Sequence, residues 1–150
     1  MAMVAMLIGV PGSGKSTWAK GALKEIQGPV RYISTDEIRE KRFGDVADMS
    51  HNAQVFQAMK QEMIRALQQG ESVVLDATFV KRSERRPYIL LAKEHGAEVK
   101  AYYIKTELTE ALQRNANRDR QVPEDVIRLR HNEMEEPEEK EGFSEVIVVG

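Results

Sequence analysis

Gly9-Val10-Pro11-Gly12-Ser13-Gly14-Lys15-Ser16-Thr17 follows the apolar run Met3-Val4-Ala5-Met6-Leu7-Ile8 and precedes Trp18, Ala19, Ala22, Leu23 and Ile26 at helical spacing. The loop contains G-x-x-x-x-G-K-[ST] in full, and its flanks supply the strand and the helix that this motif requires. The preceding run is short and nearly continuously apolar, the pattern of a strand covered on both faces and hence of a parallel sheet. Gly28-Pro29 stops the helix. Glycines at 9, 12 and 14 allow backbone conformations closed to residues with a β-carbon, so successive N–H groups can curl around an anion at the positive end of the helix. The loop therefore predicts a cradle for nucleotide phosphates, completed by Pro11 and Ser13. Lys15 is expected to reach the β- and γ-phosphates of ATP or another NTP, and the Ser16 hydroxyl to ligate the bridging Mg²⁺. Thr17 is expected to be buried, packing or capping.

Working outward, the chain alternates strands and helices. Strands are expected over 30–34, 71–77, 97–104 and 143–149, and helices over 36–42, 50–70, 83–95 and 107–118. Thr35 or Asp36 is the expected N-cap of the first of these helices, which ends before a polar loop holding Gly44, Asp45 and Asp48. A last helix opens at Val122-Pro123, with Pro123 at its first position. The alternation predicts an α/β fold: a three-layer α/β/α P-loop NTPase of the kinase type, with a predominantly parallel five-stranded sheet and a helical lid over about 110–124. One domain is expected for residues 1–150. The stretch EMEEPEEKE over 133–141 reads as a solvated acidic loop.

Composition narrows the function classes. The formal charge is −2, too near balance for a nucleic-acid coat protein or a basic membrane binder. Cysteine is absent, which excludes disulfides, thiolate metal sites and a cysteine nucleophile. No apolar run approaches the roughly 20 residues of a membrane span, and the N-terminal stretch has no basic segment of a leader. A soluble cytoplasmic protein is expected, without membrane partners and with no indication of oligomeric state. His51, His95 and His131 lack metal-ligand spacing and read as surface or capping residues.

Beyond the loop, the second strand ends in Ser34-Thr35-Asp36-Glu37-Ile38-Arg39. Ligands bind beyond strand carboxyl ends in such sheets, so Asp36 is placed to accept a hydroxyl proton as general base. Arg39, three residues on, lies on the same helical face and can hold an anionic group of the acceptor. The third strand ends in Asp76-Ala77-Thr78, where Asp76 suits Mg²⁺ organisation or orientation of the acceptor or a lid arginine. Lys81, Arg82, Arg85 and Arg86 form a basic patch, read either as a solvated helix face or as contacts to a phosphate backbone. In the run Arg114 to Arg120, arginines four apart suit a closing lid, with Arg118 ahead of Arg114 as the cation for the transferring phosphoryl group.

These segments together resemble the kinase domain of the polynucleotide 5′-hydroxyl kinases of phages and animals. GVPGSGKSTWAK is similar to that family's phosphate loop and first helix, and ISTDEIR to its D-x-x-R pair at Asp36 and Arg39. LDAT with SERR, LQRNANR with VPEDVIR, and EEPEEKEGFSEVIVV are similar to its later segments. The resemblance implies transfer of the ATP γ-phosphate to the 5′-hydroxyl end of DNA or RNA. It makes Lys15 and Ser16 serve ATP and metal, Asp36 the base, Arg39 a contact to the acceptor's phosphate, and Arg118 a contact to the transferring phosphate. Asp76, Thr78 and Arg82 are the further candidate acceptor contacts. A kinase of a small metabolite or nucleoside on the same scaffold, and a non-enzymatic nucleotide switch, are the alternatives.

Overall fold

The computed structural model describes residues 2–24, 26–44, 50–119 and 121–149. Five strands, β1 (Met3–Ile8), β2 (Val30–Ser34), β3 (Ser72–Asp76), β4 (Glu98–Ile104) and β5 (Glu145–Val149), form one sheet in the order β2-β3-β1-β4-β5. Every pairing is parallel. Parallel neighbours need crossover connections, and here these carry α1 (Lys15–Leu23), α2 (Thr35–Phe43), α3 (Asn52–Gln68), α4 (Arg82–Glu94), α5 (Leu108–Ala116) and α6 (Glu124–Glu133).

The central strand explains the layers. Val4, Met6 and Ile8 face one side with Val73, Leu75, Val99 and Ala101, beneath Val55, Met59 and Met63 of α3 and Tyr88, Ile89 and Ala92 of α4. Ala5 and Leu7 face the other side with Val74 and Ala19 of α1, where Trp18 packs on Tyr102. Burying each such side chain is worth about 1.5–3 kcal/mol, and a slip of one residue would turn β1's large side chains onto the wrong layer. A third cluster of Val10, Ala111 and Ile127, with Leu108, Leu112 and Val122 against it, fastens α5 and α6 to the phosphate loop.

Several boundaries differ from the sequence expectation. Ser34, not Thr35 or Asp36, is the N-cap of α2: it keeps the extended backbone of β2 and its hydroxyl accepts from Glu37 N at 3.4 Å. Gly44 closes that helix at φ 76°; the expected loop at Asp45 and Asp48 lies outside the described residues, as does Arg120. Helix α5 stops at Ala116 because the buried Asn115 side chain turns the chain back. Its Nδ2 donates to Val122 O at 2.6 Å and its Oδ1 accepts from Val122 N at 2.8 Å. Pro123 stands before α6 as its N-cap residue, one position earlier than expected.

Lys81, Arg82 and Arg86 stay exposed, as a solvated helix face requires, and so do Glu136 and Glu139 of the acidic stretch, but the two segments are also tied together through Arg85. Arg85 is fully buried, and a buried guanidinium needs acceptors all round. Its Nε donates to Phe79 O at 2.8 Å, Nη1 to both Glu141 carboxylate oxygens at 2.9 and 3.1 Å, and Nη2 to Val80 O at 3.1 Å and to Glu135 O. Lys81 pairs with Glu133 at 3.1 Å and Arg82 with Glu138. These pairs link the two charged segments while Arg86 stays exposed, and Arg82, expected to contact the acceptor, lies outside the cleft lining and pairs with Glu138 at the surface.

Candidate active site

The carboxyl ends of the parallel strands share one edge of the sheet, and the phosphate loop sits there between β1 and α1. Gly9 N donates to Thr78 O at 3.2 Å, and Ser13 N to Val10 O at 3.1 Å. Gly12 and Gly14 take φ of +84° and +86°. A β-carbon on Gly12 would lie 2.4 Å from the Ala111 carbonyl oxygen, and one on Gly14 would lie 2.8 Å from Arg114 Nη1. Ser13 O accepts from Arg114 Nη1 at 2.7 Å and from Thr106 Oγ1 at 3.1 Å. The Ser13 hydroxyl is buried without a partner. A loop this bent, lying against α5 and holding an unspent buried hydroxyl, fits an anion of several phosphates.

Lys15 donates to Asp76 Oδ1, and the Tyr32 hydroxyl donates to Oδ2 of the same carboxylate. Ser16 Oγ stands 3.5 Å from that Oδ2. Asp76 is 2% exposed and lies beneath Lys15 and Ser16 rather than facing an acceptor. Burial first, then the charge and hydrogen bond of Asp76, push the Tyr32 phenol well above its ordinary value, so it remains a donor. A hydroxyl and a carboxylate at the head of α1 are the hard oxygen ligands that Mg²⁺ prefers, so the residues fit that ion. Thr17 is exposed on the cleft side, contrary to the expectation that it packs, because α1 buries Ala19 instead.

One cleft of about 630 Å³ is lined by the loop from Val10 to Thr17 and by Asp36, Arg39, Thr78, Arg114 and Arg118. Asp36 is about half exposed at the first turn of α2. Arg39 Nη1 donates to Asp36 Oδ1 at 3.1 Å and Nη2 donates to Asn52 Oδ1 of α3 at 2.8 Å. Arg39 is itself 5% exposed. Burial pulls its pKa below the ordinary value, Asp36 opposes this, and the positive charge of Arg130 adds to it. Arg114 also pairs with Glu110 at 2.6 Å, whereas Arg118 lies beyond the end of α5.

The structure thus brings together every expected loop residue with Asp36, Arg39, Thr78, Arg114 and Arg118, and separates Arg82 from them. Tyr32, Asn52 and Arg130 were not anticipated. Period-two alternation in Val30-Arg31-Tyr32 could have aimed Tyr32 at a neighbouring strand's end; Asn52 and Arg130 carry no local signal, since only the packing of α3 and α6 brings them to the cleft.

A parallel sheet in this order, with a glycine-rich phosphate loop after its central strand, defines a P-loop protein of the kinase type. The chain belongs to the AAA_33 family, described as an AAA domain, whose model matches residues 4–137. It is 30% identical over 140 residues to the L-seryl-tRNA(Sec) kinase of Methanococcus maripaludis, covering 90% of this chain and 53% of that protein. The chain therefore spans about half the length of that relative. Similar solved structures include Chaetomium thermophilum Kti12 in complex with ADP-AlF3 (TM-score 0.78, 17% identity, 98% of this chain and 88% of that one). They also include the Pnkp1/Rnl/Hen1 RNA repair complex (0.76, 18%, 89% and 44%) and a gluconokinase from Sinorhizobium meliloti (0.66, 18%, 97% and 81%). At these identities the structures share the fold. The P-loop kinase class brings a nucleotide phosphate donor and, typically, Mg²⁺. Among the described residues no helix is long and apolar enough to cross a membrane.

Proposed function

We propose that the protein transfers the γ-phosphate of ATP, or of another NTP, to the 5′-hydroxyl end of DNA or RNA in the cytoplasm. The observation that carries this reading is that Asp36, with its partner Arg39, and the phosphate loop line the same cleft. Asp36 accepts the proton of the acceptor hydroxyl. The freed oxygen bonds to the γ-phosphorus as the bond from that phosphorus to the bridging oxygen breaks, and its electron pair leaves with the nucleoside diphosphate. Lys15 exchanges Asp76 for the β- and γ-phosphates. Arg118, in the segment 110–124 that we read as a lid, meets the charge on the transferring group, and Arg114 braces the loop through Ser13. Held by Ser16 and Asp76, Mg²⁺ would supply neutralisation of phosphate charge.

The D-x-x-R pair and the nucleic-acid-acting proteins among the similar ones, a tRNA kinase and an RNA repair complex, support a nucleic-acid end as acceptor. Transfer of labelled γ-phosphate to a 5′-hydroxyl oligonucleotide, compared with adenosine and gluconate, tests it. The oligonucleotide is expected to be the preferred acceptor; transfer to a small neutral or sugar-acid acceptor alone would replace the reading with that of a metabolite kinase.

A further inference from the structure

Lys15, Arg39, Arg114, Arg118 and Arg130 are the cations lining the cleft, in a chain whose formal charge is −2. Lys15, Arg39 and Arg114 are already paired, with Asp76, Asp36 and Glu110. Among the described residues, Arg118 and Arg130 have no ion-pair partner. Arg118 belongs with the donor phosphates in the reading above. Arg130 sits outside the segment 110–124, in the last turn of α6. Val122, Val126 and Arg130, at steps of four, all line the cleft, while Ile127 is buried with Val10 and Ala111 and fixes the helix against the phosphate loop.

The expected acceptor cation, Arg39, has little left to offer. It is almost wholly buried, Nη1 is given to Asp36 and Nη2 to Asn52, and Nε is enclosed without a partner. Its geometry is that of a residue holding the base in place. The charge of Arg130 bears on it, and two guanidinium groups facing one cavity repel each other until an anion comes between them. An anion there relieves that repulsion and gains charge-assisted hydrogen bonds from the side whose donors are free.

We propose that Arg130 binds a phosphate of the acceptor alongside Arg39, so that the protein selects a phosphorylated alcohol over a neutral one. The identity of that alcohol as a polynucleotide end rests on the function proposed above; the anion site itself does not.

Two measurements separate these claims. In turnover, Arg130→Ala is expected to raise KM for a 5′-hydroxyl oligonucleotide and for adenosine 3′-monophosphate by about 10- to 100-fold, the size of lost charge-assisted hydrogen bonds. KM for ATP and for adenosine should stay within about twofold, with partial recovery in Arg130→Lys because charge returns without the planar fork. Unchanged acceptor KM, or a rise in KM for ATP instead, would overturn the inference. In equilibrium binding, adenosine 3′-monophosphate is titrated onto protein saturated with a non-hydrolysable ATP analogue, which needs no turnover. If no oligonucleotide is phosphorylated, the polynucleotide reading falls, and this titration still decides: weaker binding in Arg130→Ala upholds the anion site, and equal binding removes it.

Discussion

Lys15 is bonded to Asp76, a carboxylate 2% exposed that also accepts from the Tyr32 hydroxyl. The residue proposed to grip phosphate is therefore held at the foot of the loop by an anion of the protein's own. In the proposed function nucleotide and Asp76 would compete for one ammonium, with opposite signs expected for binding and for turnover.

Asp76→Asn is expected to strengthen ATP binding in the presence of EDTA, since Lys15 is released, by about 10-fold for a hydrogen-bonded charge worth about 1.5 kcal/mol. The same variant should lose at least about 10-fold in kcat at limiting Mg²⁺. Calorimetric titration beside Mg²⁺-dependent kinetics checks both; weaker ATP binding without metal would mean that Asp76 positions Lys15 for the nucleotide instead of competing for it.

Asp36→Ala should lower kcat by about 10²–10⁴-fold, the range of general acid–base catalysis, while ATP affinity changes by no more than about twofold. Retained turnover would return Asp36 to a structural role in the first turn of α2.

Two glycines of the loop should differ. Gly12→Ala sets a β-carbon 2.4 Å from backbone, which must move, whereas Gly14→Ala meets only the flexible end of Arg114 at 2.8 Å. Both carry left-handed strain of about 1–3 kcal/mol, so melting curves should place Gly12→Ala below Gly14→Ala, with nucleotide binding lost in the former. Equal melting temperatures would mean that α5 yields freely at Ala111.

Glu141→Gln strips the charge partner from a guanidinium with no exposed surface, and such half-broken buried pairs cost about 3–5 kcal/mol. Denaturant unfolding should show a loss of that order. Arg82→Ala, at the exposed contact to Glu138, should leave the midpoint unchanged within error.

Alkaline pH should destabilise the fold through Tyr88. Burial pushes this phenol above its ordinary value, so between the unfolded and folded pKa values the native state retains a proton that the unfolded chain has lost. Stability is full below about pH 10 and declines above it. Tyr88→Phe loses the bond to Phe56 O, 2.9 Å long, and should show a flatter alkaline limb in unfolding free energy against pH; an equally steep limb would assign the decline to other groups.

Much of this was legible in local sequence because the features are local. The apolar run into Gly9, the G-K-S triplet and the strand-end position of Asp36 each announce their place through neighbours in the chain. What escaped depends on distant segments meeting. Arg85 and Glu141 are 56 positions apart, so a basic patch and an acidic loop could not be seen as one strap. Arg39 looked available from its spacing to Asp36, and only the arrival of Asn52 shows it occupied. Arg130 has the appearance of a surface residue on a helix until α6 is laid over the cleft.

The strap of acids across α4 has one more effect. It pairs Lys81, Arg82 and Arg85 with carboxylates and so lowers the positive charge on that side, while Arg118 and Arg130 keep theirs on the cleft. For a polyanionic acceptor of the kind proposed, raising ionic strength should slow capture more than it alters the bound state.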